Sequence, residues 1–308
     1  MKEMLSVTSS PHIRHVDTTR TIMGDVLIAL SPAAVYGCIL FGWRAALVLL
    51  VCVLSCVASE YLWTLIFKKK TTIGDLSAVV TGLLLGMNLP ASVPLWIAAI
   101  GGVVAILVVK QMFGGLGHNF VNPAMAARIV LMVSFPNFMT SFVEPFLGTV
   151  ASATPLAAEA SAVPTTKYLF LGLHSGCIGE TSVFLLTVGG IYLMMRRVIL
   201  PIIPVCFIGT VALATLISGG DLSVQLLSGG LFLGAIYMAT DYVTSPSTLW
   251  GKVIFGCGCG LLTFVIRRFG SLPEGVSYSI ILMNILVPHI ERLTAVRPFG
   301  AKEVQKDE

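Results

Sequence analysis

Charged residues are scarce in this chain of 308 residues. Asp, Glu, Lys and Arg make up 11% of it, and the mean hydropathy is +0.92. A soluble domain carries about 25% charged residues. Several apolar runs approach the roughly 20 residues that are needed to cross about 30 Å of hydrocarbon. The shortage of charge excludes a large soluble enzyme and predicts a polytopic helical membrane protein with one membrane domain.

Signals for nucleic-acid binding and for secretion are also lacking. The formal charge of +4 comes from basic residues that are dispersed among loop ends, so no nucleic acid is expected as a partner. The first apolar run begins near Ile22, behind a polar segment that contains Asp17 and Arg20. Such a segment is not the short basic region that opens a signal peptide.

Familiar catalytic and metal-binding motifs are missing. The seven cysteines include no CxxC pair, so a zinc site or a thioredoxin-type redox motif is not supported. Most cysteines fall in apolar runs and are expected to pack as small apolar residues. The alternative is a metal or iron–sulfur ligand shared with another protein of a complex. No Ser-His-Asp order, HExxH motif or paired carboxylates are present, so no stand-alone catalytic site is expected.

Ten apolar segments are predicted to form transmembrane helices. The first five lie at about 22–41, 45–67, 74–90, 94–112 and 123–135, and the second five at about 181–196, 200–218, 228–243, 252–268 and 275–291. This predicts an all-α fold with an arm, two five-helix halves, an intervening loop and a tail: 1–21, 22–135, 136–180, 181–291 and 292–308.

The distribution of basic residues predicts the orientation in the membrane. Ten spans place both termini on one side, and about fifteen of the nineteen Lys and Arg residues then fall on that side. The positive-inside rule makes that side cytoplasmic and the loop at 136–180 extracytoplasmic. The exceptions on the opposite side are Arg44, Lys167 and the pair Arg267-Arg268.

Five spans in each half would invert the second half relative to the first. Inverted repeats with helices broken near the midplane commonly form a path through a membrane. Two polar breaks, at Gly114–Pro123 and Thr240–Pro246, are candidates for such a path. Their positions in the two halves are not convincingly equivalent, so the inverted repeat is a hypothesis.

Acidic residues in or beside apolar segments are costly to bury, so each is a candidate for an ion path. Asp25 and Asp75 suit that role and, equally, a place at a helix N-terminus, where the helix dipole favours a carboxylate. Glu60 lies deeper and can pair with Arg44 or a lysine. Asp241 in the second break is the strongest candidate.

The second break suits a hard cation. Asp241 lies beside Ser245 and Pro246 there. A break in a helix frees carbonyl groups, and together with hydroxyl groups these are ligands suited to Na⁺.

The first break combines glycines with two asparagines, Asn119 and Asn122. No strand precedes it and no Lys-Ser/Thr follows, so it does not satisfy a nucleotide-binding motif. Glycines such as Gly115 more plausibly let the backbone approach a neighbouring helix or a flat ring. Arg128, about two turns into the fifth span, needs a carboxylate, backbone carbonyls or an anionic ligand as its partner.

Four motifs in this order resemble a known family over nearly the whole chain. They are Ser9–His12, the glycine–asparagine motif Gly114–Ala124, Ser152-Ala153-Thr154-Pro155-Leu156, and Ala239–Pro246. The second and fourth motifs are specific when both are present at this spacing. The chain is similar to a family of membrane proteins that comprises the D subunit of the Rnf ferredoxin:NAD⁺ oxidoreductase and the B subunit of the Na⁺-pumping NADH:quinone oxidoreductase.

The resemblance implies that Thr154 carries FMN through a phosphoester bond. A flavin transferase outside the cytoplasm would install it, and the small residues Ser152 and Ala153 would leave room for that enzyme. Ser152, Ala153 and Pro155 are also candidate flavin contacts. Other candidate flavin contacts are Gly115, Asn119, Asn122 and Arg128. Whether a second, non-covalent flavin binds between the helices is left open.

One departure from the family pattern lies close to the attachment site. The family usually has an Asp six residues before the Thr and a hydroxyl residue three before it, where this chain has Gly148 and Ala151. The Ser-Ala-Thr-Pro-Leu motif itself is intact, so the departure bears on the efficiency of flavin attachment.

The family further implies a role within an electron-transport complex, the Rnf complex. Electrons would reach Thr154-linked FMN and exchange with a second covalent flavin on the G subunit, with the membrane subunits A and E as further partners. Na⁺ or H⁺ would move across the cytoplasmic (inner) membrane of a bacterium or archaeon. The alternative is a channel or carrier for a small solute or ion, without a redox role, because inverted halves suit it equally well.

Overall fold

The computed structural model describes residues 17–68, 72–146, 150–151, 155–156, 165–180, 182–270 and 275–295. The first half of the chain forms α1 (Thr19–Phe41), α2 (Trp43–Ile66), α3 (Ser77–Met87), α4 (Leu95–Val103) and α5 (Pro123–Ser134). The middle contains α6 (Pro136–Met139), the antiparallel strands β1 (Phe142–Val143) and β2 (Val150–Ala151), and α7 (Thr166–Leu171). The second half forms α8 (Val183–Met195), α9 (Ile202–Ile217), α10 (Leu222–Leu227), α11 (Leu231–Leu233), α12 (Leu249–Phe269) and α13 (Val276–Thr294).

Each predicted apolar segment coincides with a helix, and most boundaries agree within a few residues. Side chains that cap the first turn fix several starts; Asn122 Oδ1, for example, accepts from the backbone N–H groups of Ala124 and Met125 at 3.0 and 3.3 Å. Among the described residues, three helices are long and apolar enough to cross a membrane by themselves: α1, α2 and α12. The remaining apolar helices are shorter, so helix length alone supports only part of the predicted ten spans.

Two of the short helices meet end to end. α3 has 11 residues and therefore extends only about 16 Å, roughly half of the hydrocarbon thickness. α11 continues as a π-helical segment to Met238 and is similarly short. Asn88 follows the C-terminal end of α3, and its Nδ2 lies 3.6 Å from Sδ of Met238. The two half-length helices thus approach each other with their C-terminal ends.

Contacts join several helix ends. Asp25 of α1 binds Arg196 after α8, and Thr248 before α12 binds Thr294 at the end of α13. Arg44 of α2 contacts the carbonyl of Ser92 at 3.4 Å.

The end of the loop predicted at 136–180 is buried in the helix bundle. Every residue of Gly176–Glu180, here called the re-entrant segment, is buried. Ile178 N–H donates to Leu89 O at 3.1 Å, and Gly179 N–H donates to Met87 O at 2.7 Å. This segment occupies the space beyond the C-terminal end of α3. The sequence analysis had predicted that the same residues belong to an exposed loop.

Candidate functional site

The two polar breaks lie against each other near the centre of the molecule. Asn122 Nδ2 in the first break donates to Met238 O, just before the second break, at 3.2 Å. Asn284 of α13, with its amide oriented to satisfy its neighbours, accepts from Asn122 N–H at 3.1 Å and donates to Thr244 O at 3.0 Å. Each break follows a π-helical segment, Val104–Gln111 and Gly234–Met238, which is a feature often found at functional sites.

Asp241 is held within this polar network. Its carboxylate accepts from Thr244 Oγ1 at 3.1 Å and from the side chain of Asn119. Its backbone carbonyl accepts from Ser245 N–H at 3.1 Å, which places the other predicted ion-path residue of this break one turn away. The sequence-predicted residues of both breaks are therefore neighbours in space.

A cavity of about 250 Å³ opens between the breaks. Most of its wall is apolar, with side chains from α1, α3, α8 and the π-helical segment that follows α11. Its polar lining residues are Thr19, Ser77, Thr81, Lys110, Asn119, Asn122, Tyr237, Thr240, Asp241 and Tyr242. Such a cavity, mostly apolar with a few convergent polar groups, is the usual form of a ligand site. Of the predicted flavin contacts, Asn119 and Asn122 line it, whereas Gly115 and Arg128 do not.

Gly115 serves the backbone of the first break. It has a φ of 97°, and its N–H donates to Lys110 O at 3.0 Å. Gly114 and Gly117 also have positive φ, a conformation that side chains disfavour. The glycines let the chain fold back on the end of its own helix, which agrees with the predicted close approach of backbone.

A buried ion pair lies at one end of the cavity. Lys110 Nζ is 3.0 Å from Glu60 Oε2 and 2.6 Å from Ser77 Oγ. The Glu60 side chain is fully buried and that of Lys110 nearly so. Of the partners predicted for Glu60, the structure selects a lysine, whereas Arg44 contacts Ser92 instead. Sequence analysis missed Lys110, although a lysine inside the apolar run at 94–112 was a signal for a buried partner.

A second buried ion pair lies beyond the junction of the half-length helices. Arg128 Nη2 is 3.3 Å from Glu180 Oε1, and Arg128 Nη1 donates to Asn88 Oδ1 at 2.6 Å. Glu180 Oε2 also accepts from Cys177 N–H at 3.4 Å. The carboxylate that Arg128 was predicted to need therefore comes from the re-entrant segment. Glu180 was missed because it is 52 residues away in sequence.

His174 lies next to this ion pair, outside the spans. Its Nδ1 is 3.1 Å from Ser175 O, and burial lowers the pKa of its imidazole. The buried Nε2 has no hydrogen-bond partner among the described residues. The imidazole of His174 is therefore neutral near pH 7.

Asp75 and Asp25 are the remaining acidic candidates. Asp75 Oδ1 accepts from Ser77 N–H at 2.8 Å and from Ser77 Oγ at 2.6 Å, so Asp75 lies just before the start of α3 and contacts the same serine as Lys110. Asp25 lies beyond the first turn of α1 and accepts from Tyr192 Oη at 2.8 Å and Arg196 Nε at 3.2 Å. Asp25 is therefore engaged in an ion pair near one surface of the bundle.

Ser152, Ala153 and Thr154 lie outside the described residues. The two residues that follow are placed: Pro155 is buried, and the side chain of Leu156 packs against Gly229. This contact joins the predicted flavin-bearing segment to the turn between α10 and α11.

The cysteines do not gather into a site within the described ranges. Cys52 and Cys56 direct their thiols at backbone carbonyls of α4, at 3.9 and 3.7 Å. No group of three or more His, Cys, Asp or Glu side chains able to hold a metal ion occurs in this part of the chain. A ligand set shared with another protein of a complex stays a prediction.

The fold and the polar centre together define the class of this protein. A helical bundle with apolar outward-facing side chains, half-length helices and buried ion pairs is a polytopic membrane protein with a polar centre. The chain belongs to the NQR2, RnfD, RnfE family, whose model matches residues 6–300.

Curated relatives align over nearly their full length. The chain is 47% identical to the D subunit of the Na⁺-translocating ferredoxin:NAD⁺ oxidoreductase complex of Acetobacterium woodii, over 98% of both chains. It is 41% identical to the D subunit of the proton-translocating complex of Clostridium ljungdahlii, again over 98% of both. It is 34% identical to the D subunit of the ion-translocating oxidoreductase complex of Halorhodospira halophila, over 96% of both.

Proposed function

We propose that this chain is the membrane-embedded D subunit of an ion-translocating ferredoxin:NAD⁺ oxidoreductase complex. The observation that carries the proposal is the 47% identity over 98% of both chains to a protein of that name. The chain would act as one component of the complex, which agrees with the lack of a stand-alone catalytic motif.

In this role Thr154 carries FMN through a phosphoester bond. When bound, the flavin would supply the electron-transfer chemistry, while the protein positions it and tunes its potential. The buried Pro155 and the contact of Leu156 with Gly229 support a segment that is anchored directly after the attachment residue. The flavin transferase would reach Thr154 from outside the cytoplasm, and the G subunit with its own covalent flavin would be the electron partner.

The polar centre is the candidate ion path. Asp241 borders the cavity on one side of the half-helix junction, and the Arg128–Glu180 pair lies on the other. Asn88 joins the two, because it contacts both Met238 and Arg128. This arrangement supports movement of Na⁺ or H⁺ through a junction whose buried charges must change partners as the ion passes. The two relatives named for Na⁺ and for protons leave both ions open.

The cavity is also the candidate site for a second, non-covalent flavin. Its apolar walls suit the faces of an isoalloxazine ring, and Asn119 and Asn122 are among the polar residues that border it. The residues present therefore fit the group.

A repeated sequence pattern supports the two inverted halves. Gly-Asp-Leu-Ser occurs at 74–77 and 220–223, and a Leu-Trp pair that opens the following long helix occurs at 95–96 and 249–250. The half-length helices α3 and α11 lie between these motifs and approach each other with their C-terminal ends. In this alignment the second break corresponds to the segment after α3, so the two polar breaks are not equivalent.

For the whole assembly we propose a bacterial or archaeal cytoplasmic membrane, with both termini cytoplasmic and Thr154 extracytoplasmic. Exposed apolar side chains along α1, α2 and α9 suit contact with lipid or with the membrane subunits A and E.

A carrier without a redox role is the second candidate function. The half-length helices and the cavity favour it, because transporter sites commonly lie where broken helices meet. A carrier has no use for a covalent flavin, so flavin attachment separates the two.

Electron transfer and ion uptake in inverted membrane vesicles test the proposal. Vesicles with the wild-type complex should couple ferredoxin-dependent NAD⁺ reduction to ion uptake, and Thr154→Ala should abolish both. Asp241→Asn should retain NAD⁺ reduction at low membrane potential and lose ion uptake. Uptake that persists undiminished in Asp241→Asn would remove Asp241 from the path, whereas normal NAD⁺ reduction in Thr154→Ala would remove the covalent flavin from the relay.

A further inference from the structure

His174 is a buried histidine with one unused ring nitrogen. It is 4% exposed and lies between α7 and the re-entrant segment. Its Nδ1 is 3.1 Å from Ser175 O. A carbonyl oxygen can only accept a hydrogen bond, so Nδ1 carries the proton of the neutral ring and Nε2 carries a lone pair. Nε2 has no hydrogen-bond partner among the described residues, although buried polar atoms normally have one.

A carboxylate lies next to the imidazole. Both groups border the empty side of Gly176, where a Cβ would lie 3.4 Å from Glu180 Oε2 and 3.7 Å from Nδ1 and Cε1 of His174. Because glycine has no side chain, the space between the carboxylate and the ring stays open. Glu180 also acts electrostatically on the imidazole, and its negative charge favours the protonated ring.

While the ring is neutral, two long contacts hold Glu180. Its Oε1 is 3.3 Å from Arg128 Nη2, and its Oε2 accepts from Cys177 N–H at 3.4 Å. Both distances exceed the roughly 2.7–2.9 Å of a strong charge-assisted hydrogen bond. Arg128 has a shorter contact of its own, because its Nη1 donates to Asn88 Oδ1 at 2.6 Å. Glu180 can therefore leave Arg128 while the guanidinium keeps that partner.

The other titratable groups around this pair offer no competing carboxylate within the described ranges. Arg128 Nη2 is 3.5 Å from Cys177 Sγ, Tyr278 of α13 interacts with Arg128, and Arg267 of α12 interacts with Glu180. Glu180 is thus the anionic partner that a protonated His174 would find in this part of the structure.

The ring lies close to the surface from which a proton would come. Leu173 and Ser175, on either side of His174 in the chain, are partly exposed, and they belong to the loop that is predicted to be extracytoplasmic. Burial lowers the pKa of His174, and Glu180 opposes that shift. The imidazole therefore takes up a proton only when the pH falls below its usual pKa.

We infer that His174 is a proton-binding site, and that its proton draws Glu180 away from Arg128. The proton binds at Nε2, and the new Nε2–H donates to the Glu180 carboxylate, while no other covalent bond forms or breaks. The net charge of the three side chains rises by one. The inference rests on the proposed ion path, in which buried charges must change partners, and it names the alternative partner of Glu180.

The test is solid-state NMR of the full chain in lipid nanodiscs at neutral and acid pH. Glutamate is labelled with ¹³C at Cδ, and either histidine or arginine is labelled with ¹⁵N. The Glu180 signal, assigned by its loss in Glu180→Gln, should be dephased by arginine at neutral pH and by histidine at acid pH. His174→Gln should abolish the histidine contact, and His289→Gln, at an exposed position of α13, should retain it.

The titration of the His174 ring gives a second measurement. In wild type its ¹⁵N shifts should report protonation below the usual histidine pKa, and in Glu180→Gln the midpoint should fall further, since the anion that favours the proton is gone. A ring that stays neutral, or a Glu180 carboxylate that stays on Arg128 after the ring is protonated, would overturn the inference. Neither measurement needs ion flow, so ion uptake that persists in both Asp241→Asn and Glu180→Gln would instead overturn the proposed path.

Discussion

Buried charges in this chain are compensated one by one. The Glu60 and Lys110 side chains are almost completely buried, so their attraction must offset a large desolvation cost. Asp25 and Arg196 form the contrasting pair, because 48% of the Arg196 side chain is exposed. Water screens that pair and reduces its contribution to stability.

Removal of one member of the Glu60–Lys110 pair should be strongly destabilising. Glu60→Gln or Lys110→Met alone should lower the free energy of unfolding by about 3–5 kcal/mol, because the other charge stays buried without its partner. The double variant should recover most of the loss. Thermal unfolding in detergent, analysed as a double-mutant cycle, measures this. Asp25→Asn is the control and should cost less than about 1 kcal/mol; equal losses for both pairs would contradict the argument.

A bulky side chain in the cavity should exclude a non-covalent flavin. Thr81 lines the cavity from α3, and Val79 on the same helix does not. Thr81→Phe should lose flavin that is released by denaturation, without loss of flavin attached to the chain. Val79→Phe should keep both. The flavin content of the supernatant and of the pellet after acid precipitation measures the two fractions, and unchanged release from Thr81→Phe would place the second flavin elsewhere.

At the level of the helices, the sequence predicted where elements lie but not how deep they extend. Hydropathy marks 74–90 and 228–243 as spans, yet the helices α3 and α11 are too short to cross the membrane. An apolar run has the same mean hydropathy whether the chain crosses the membrane or turns back halfway through it. The polar residues after each run, Asn88 and Asp241, were the clearer indication, because a helix end buried in the membrane needs such partners.

The re-entrant segment could not be predicted, because its signal is tertiary. Gly176–Gly179 is made of small and apolar residues that are equally common in exposed loops. Its place is fixed by hydrogen bonds to Met87 and Leu89, about 90 residues earlier in the chain. Glu180 follows it directly, so the segment also determines which carboxylate reaches Arg128.

Close packing of the re-entrant segment predicts sensitivity to a single methyl group. A Cβ at Gly179 would lie 2.5 Å from Met87 Cβ and 3.0 Å from Met87 O. Gly179→Ala should therefore lower the free energy of unfolding by about 1–3 kcal/mol. Gly209 in α9 has open space around it, so Gly209→Ala should be neutral or stabilising by up to about 1 kcal/mol. Similar denaturation midpoints for Gly179→Ala and wild type would show that the segment is loosely packed.

For the whole molecule, the predicted orientation in the membrane can be tested by labelling. Lys167 and Ala295 are both exposed and lie at opposite ends of the bundle in the predicted topology. A membrane-impermeant maleimide added to intact cells should label Lys167→Cys and leave Ala295→Cys unlabelled until the membrane is opened. The parent chain gives the background from native cysteines. The reverse labelling pattern would place Thr154 on the cytoplasmic side and would contradict the proposed extracytoplasmic position of the flavin.

The family and the polar breaks were predictable from the sequence, since motifs such as Gly114–Ala124 and Ala239–Pro246 are local. The cavity and the two ion pairs were not, because they join residues such as Glu60 and Lys110 that only the folded chain brings together. Thr154 was assigned from its sequence motif alone, and the proposed function depends on it more than on any other residue.

In-gel flavin fluorescence of the denatured chain tests that claim most directly. The chain is co-expressed with an active flavin transferase beside Thr154→Ala and the control Thr165→Ala. A fluorescent band in wild type and Thr165→Ala that is absent from Thr154→Ala is the predicted result. A dark wild-type band, with the transferase shown to load another substrate, would contradict the covalent flavin and favour a carrier.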